Sequence, residues 1–156
     1  MRLAEAFPAA RFFPAATPEA IAKAEVDLGV SLPTPLKQLY LECDGFREPL
    51  GNACFLFPLT EMVRNTRFLW TDLAASLEGV SVPDFRPFLI FGSSTADQWW
   101  GIRSTPPHDI IAWHHNMLGD EDLSSTGGYE IAGSDIINVM KSDFALYDRI
   151  EQDLHQ

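Results

Sequence analysis

Thr17–Gly45, reading TPEAIAKAEVDLGVSLPTPLKQLYLECDG, is the stretch that decides the fold. Thr17 can cap a helix with its hydroxyl, Pro18 suits the first helical position, and Glu19 meets the positive end of the helix dipole. Ile21, Ala24 and Leu28 then fall on one helical stripe, with Lys23, Glu25 and Asp27 off it, and Gly29 ends the helix. Val30-Ser31-Leu32-Pro33 reads as a short extended link. Thr34-Pro35 repeats the cap-plus-proline start, Leu36, Leu39, Tyr40 and Cys43 keep helical spacing, and Asp44-Gly45 stops the second helix. Two amphipathic helices thus precede everything that reads as strand.

Downstream, Cys54-Phe55-Leu56-Phe57 is a short apolar run ended by Pro58, and it reads as a strand. Thr60 opens a third helix, with Val63, Thr66, Leu69 or Trp70, Leu73 and Leu77 along its face and Gly79 closing it. Phe88-Leu89-Ile90-Phe91 is a further apolar strand. Gln98–Arg103 and Asp109–His114 read as two more, joined by the Ser104–His108 turn into an antiparallel hairpin. Residues 116–133 read as a polar loop with one short strand at Tyr129-Glu130-Ile131. Ser134 then caps a last helix with Ile137, Met140, Phe144, Tyr147 and Leu154 near one face. The expectation is helix over 18–28, 35–43, 61–78 and 135–152 and strand over 88–92, 98–103 and 109–114. That is an α+β fold with a mostly antiparallel sheet and flanking helices. At 156 residues the chain reads as one domain, 1–156, with residues 1–16 as an irregular N-terminal segment.

The order resembles the SUKH superfamily, which includes fungal cell-wall regulators and many bacterial immunity proteins. The residues that carry the resemblance are Thr17–Ile21 through Glu25, Leu28–Pro33, Leu36, Leu39-Tyr40 and Asp44-Gly45. They continue with Leu59–Met62, Phe88–Gly92, Asp97, Trp100-Gly101-Ile102 and Ile110–His115. The turn Ser93–Asp97 and the Pro106-Pro107 of the hairpin depart from the commoner pattern. The resemblance implies a protein-binding module. Bacterial members of this kind bind and neutralise a polymorphic toxin, often a nuclease, inside the producing cell, while others are regulators or scaffolds.

Charge narrows the partner. The net value is −11, and it is unevenly placed: Met1–Phe68 holds 8 acidic and 7 basic residues, Leu69–Gln156 holds 14 acidic and 4 basic. Such a chain lacks the positive surface that displaces counterions from nucleic acid. The excess acid reads either as a solubility device or as a surface that attracts a basic protein such as a toxin domain. No apolar run reaches membrane-spanning length, and Glu5, Pro8 and Arg11 interrupt any leader-like stretch, so a cytoplasmic protein is expected. Cys43 and Cys54 make neither a zinc spacing nor a redox motif and read as free thiols.

The candidate partner-binding residues are Asp97, Trp99, Trp100, Trp113, Asp120, Glu121 and Asp122. Trp99 and Trp100 are strand neighbours, so one faces the core and the other the opposite side. Tryptophan is both a frequent core residue and an interface anchor, and the acidic residues would form a rim around it. His114-His115 is the one pair that invites acid–base or metal chemistry, as in a small hydrolase using nearby carboxylates. On a regular strand the two rings would point to opposite faces, however, and no ligand spacing surrounds them. No Gly-x-Ser-x-Gly, catalytic Cys–His pairing or phosphate loop is present, so neither catalysis nor a cofactor is expected. Elemental analysis of the purified protein is expected to show no stoichiometric zinc or calcium. About one ion per chain, lost on His114→Ala, would contradict this.

Overall fold

Helix α2 (Pro18–Leu28) is capped as its sequence demands. The Thr17 side chain accepts from the Ala20 amide at 3.1 Å, and Gly29 closes the helix at φ 73°, in the left-handed region. The computed structural model describes residues 2–77, 79–118 and 128–155. Helix α1 (Arg2–Ala6) precedes α2, and strand β1 (Arg11–Phe12) pairs antiparallel with β2 (Phe46–Arg47). Residues 1–16 are therefore not wholly irregular. Leu3 and Phe7 are driven into the core, where Phe7 meets Phe46, Phe55 and Phe144.

Helix α3 (Thr34–Glu42) starts one residue earlier than expected, with Pro33 at the cap position and no side-chain cap of its own. The link before it is held from α2 instead. Glu25 accepts from the Leu32 amide at 2.8 Å and pairs with Lys37 at 3.5 Å. Helix α4 (Leu59–Arg67) is likewise capped from a distance, because the Asp44 carboxylate accepts from the Leu59 amide at 2.8 Å. Gly45, at φ 103°, must be glycine here, since a Cβ would sit 2.9 Å from the Leu56 carbonyl oxygen. The Asp44-Gly45 pair thus ends one helix and begins another.

After α4 the chain continues through a π-helical turn (Phe68–Asp72) into α5 (Leu73–Ser76). The single helix expected over 61–78 is present, with an extra residue worked into it. Strands β3 (Phe88–Ser93), β4 (Trp99–Arg103), β5 (Ile110–Trp113) and β6 (Glu130–Gly133) form an antiparallel sheet in sequence order. Helix α6 (Ile136–Leu154) closes the chain. Its cap is Asp135, not Ser134, accepting from the Asn138 amide at 2.9 Å. Ile136, Val139 and Met140 are buried, whereas Leu154 is 72 % exposed, because the helix runs on past the part of the body it packs against. The fold is α+β.

Cys54–Phe57 forms no regular ladder strand. It makes one bridge, Phe46 to Leu56, and otherwise covers the outer edge of β3: the Phe57 amide donates to the Phe91 carbonyl at 2.7 Å and the Ser93 amide to the Cys54 carbonyl at 2.8 Å. The rest of that edge is met by α4 and the π turn. Trp70 Nε1 donates to the Phe88 carbonyl at 2.9 Å, and the Ile90 amide donates to Thr66 Oγ1 at 2.9 Å. A register shift between Ile90 and Gly92 lets these partners reach in turn, and Gly92 has no room for a side chain, since a Cβ would lie 2.1 Å from the Phe55 oxygen.

Thr66 is fully buried. Thr66→Val keeps the shape but leaves the Ile90 amide without an acceptor, which costs about 1–3 kcal/mol. Urea unfolding is expected to show that loss for Thr66→Val and a smaller one for Thr66→Ser, which retains the hydroxyl.

Candidate partner-binding site

The start of β4 and the end of β5 set the site. Trp99 and Trp113 lie directly opposite each other and share a face of the sheet. Trp100 points to the other face, 2 % exposed, against Phe55 and Phe91 at ring separations of 5.1 and 6.1 Å. Trp100 is therefore a core residue and no surface anchor. Trp113 is also buried, in edge contact with Phe85 at 5.0 Å, and its indole N–H has no acceptor among the described residues. Trp99 is half-buried, held edge-on by Phe57 and Phe68 at 6.4 and 6.3 Å.

The π turn supplies the facing wall. Leu69 and Leu73 stay in the core while Phe68 is left 38 % exposed beside Trp99. Together Phe68, Leu73, Trp99, Trp113, Asp97, His114 and His115 line a pocket of about 330 Å³. Phe68 and Leu73 were not among the residues singled out from sequence as contacts. The signal was there as an ambiguity of phase, Leu69 or Trp70, which is what an inserted residue produces.

Asp97 stands at the pocket on a tightly held turn. Ser94 Oγ accepts from the Ala96 and Gln98 amides at 3.2 and 3.1 Å. Thr95 is tied to Asp143 of α6 through both its amide and its hydroxyl, each at 2.9 Å. Asp97 itself takes φ 60°, a left-handed conformation that Asp and Asn tolerate better than other side chains do. Its side chain is 94 % exposed, and Nε2 of His114 lies 3.8 Å from its Oδ2.

The histidines do not sit as a regular strand would place them. β5 ends at Trp113, and His114 caps a 3₁₀ turn (His115–Met117) by accepting from the Asn116 amide on Nδ1 at 3.1 Å. In a neutral ring that leaves the proton on Nε2, toward Asp97. The chain turn brings the two rings together, 4.0 Å between centroids, rather than onto opposite faces. Asp109 is not available to them, because it pairs with Arg103 at 2.7 Å. Among the described residues no three His, Cys, Asp or Glu side chains converge as a metal site. Asp120, Glu121 and Asp122 lie outside the described residues. The structure thus brings Asp97, Trp99 and Trp113 to one pocket and separates Trp100 from them.

What the arrangement offers is an aromatic-walled recess with an exposed carboxylate at its side, suited to receiving a side chain. No serine, threonine or cysteine is among its lining residues, and the thiols elsewhere hold their protons tightly. Burial pushes both Cys43 and Cys54 up to about 11. Among the described residues no helix is long and apolar enough to cross a membrane.

The profile of the SMI1 / KNR4 family (SUKH-1) matches residues 15–135, a span that includes the whole pocket. No curated protein matches the chain.

The raised thiols give a pH signature. In the unfolded chain they ionise near their usual 9.0, whereas in the folded chain they hold their protons to about 11. The unfolded state binds fewer protons in that window, so stability falls as pH rises from about 9 to 11. Urea midpoints across this range are expected to drop, and to drop less in Cys43→Ala/Cys54→Ala. An unchanged slope in the double variant would contradict the assignment.

Proposed function

Because the chain belongs to the SMI1 / KNR4 family (SUKH-1), we propose that it is a non-catalytic protein-binding module, an immunity protein that neutralises a basic toxin domain by direct binding. The observation that carries this reading is the pocket at the start of β4 and the end of β5, where a half-buried tryptophan and an exposed phenylalanine meet an exposed carboxylate. It lies in a chain whose second half carries nearly all of the net charge of −11.

The mechanism is stoichiometric and acts inside the producing cell. The acidic half draws in the basic domain, which raises the rate of encounter. The aromatic recess then holds it, and desolvated aromatic contacts govern dissociation. A toxin so covered has its active site or substrate entry obstructed, with no reaction required of the immunity protein.

The first observation to make is whether the adjacent coding sequence ends in a small basic toxin-like domain, and such a domain is the first partner to test. Association and dissociation rates are measured at two salt concentrations. The combined substitutions Asp120→Asn, Glu121→Gln and Asp122→Asn are expected to slow association and flatten its salt dependence, because charge attraction across water reaches about 10 Å at 0.1 M salt. Trp99→Ala, checked for folding by its unfolding midpoint, is expected to weaken binding by about 2 kcal/mol, mostly through faster dissociation. Unchanged rates in both variants would remove the basis for the proposal.

A further inference from the structure

Resting on that binding reading, we infer that the pocket between the π turn, the start of β4 and the end of β5 receives a single arginine side chain of the partner. At about 330 Å³ it is at the small end of ligand pockets, which run from ~300 to ~1,000 Å³, and it suits one long side chain rather than a folded ligand. Its walls are Phe68, Leu73, Trp99 and Trp113. An apolar stem and a flat group fill such a space well.

The carboxylate decides the charge of the occupant. An uncharged side chain that covered Asp97 would strip water from it without replacing the lost hydrogen bonds. An acidic one would meet both Asp97 and the field of the acidic half. A cation meets neither obstacle. His114 faces one oxygen of Asp97, at 3.8 Å, which leaves most of the acceptor positions of the carboxylate open. The turn that carries Asp97 is fixed by Ser94 and by Asp143, so little ordering is needed when the cation arrives.

Between the two basic side chains, the walls favour arginine. A guanidinium is planar, stacks on an indole or phenyl face, and presents a fork of N–H groups to a carboxylate. The lysine ammonium is a compact, strongly hydrated charge that gains less from the half-buried face of Trp99 and the exposed ring of Phe68.

The test uses the full chain and three synthetic probes: acetyl-Gly-Arg-Gly-amide and the same peptide with citrulline or norleucine in place of arginine. Citrulline keeps the shape and removes the charge, and norleucine keeps only the stem. Indole N–H resonances report the site, with Trp100, on the opposite face, as the internal control. The arginine peptide is expected to shift Trp99 and Trp113 saturably and to leave Trp100 in place, with citrulline weaker by about tenfold or more. Asp97→Asn keeps the left-handed turn, because Asn tolerates it, and should bring the arginine peptide down to the level of citrulline. Equal binding of the three peptides, shifts confined to Trp100, or full arginine binding by Asp97→Asn would each overturn the inference. The outcome is separable from that of the toxin experiment. If the toxin domain binds through Trp99 but the peptides are not discriminated, the immunity reading stands and the arginine falls. If the arginine peptide discriminates and the toxin domain does not bind, the pocket chemistry stands and the immunity reading falls.

Discussion

The outer edge of β3 is the constraint on which the rest of the structure depends. An edge strand lying under a helix has no water to satisfy its amides and carbonyls, so other groups must do it. Here four different sources meet them in order along the strand: the indole of Trp70 at the Phe88 carbonyl, the hydroxyl of Thr66 at the Ile90 amide, the Phe57 amide at the Phe91 carbonyl, and the Cys54 carbonyl at the Ser93 amide. The first two come from the helical stretch and the last two from the Cys54–Phe57 segment. Satisfying this edge therefore places both pieces of chain at once.

The pocket is a by-product of that docking. Thr66 and Trp70 are both committed to β3, and the π turn lies between and beyond them. Phe68 is left on the far side, where it meets Trp99 edge-on. The extra residue of the π turn separates the two jobs, core packing by Leu69 and Leu73 and surface display by Phe68. On the sheet side, the register of β4 and β5 sets Trp99 opposite Trp113, and the alternation of strand side chains sends Trp100 away into the core. A one-residue slip in that register would exchange the roles of Trp99 and Trp100.

In the binding proposed here, charge and shape act at different stages. A net charge concentrated in the second half works at long range and is weakened by salt, so it governs approach. The recess works at contact. The carboxylate of Asp97 belongs to both, as part of the acidic field and as an exposed charge at the aromatic wall.

The sequence by itself determined the α+β class, the helices beginning at Thr17 and near Thr34, the antiparallel hairpin and the resemblance that the family match supports. Those features rest on local signals: a capping hydroxyl, a proline at a helix start, a glycine at its end, a run of apolar residues. The sequence also marked Asp97 and the tryptophans, but not which of them share a surface. Only the tertiary structure decided that Trp99 and Trp113 share a pocket with Phe68, that Trp100 is buried, and that the His114 and His115 rings meet, tilted, after the strand has ended. It alone showed that Asp44 caps α4 from a distance and that Cys54–Phe57 covers an edge rather than joining a regular ladder. The physical reason is the same in each case. Strand phase turns on a single residue, and side-chain bonds to distant backbone depend on how elements dock, which no pattern within a few residues encodes.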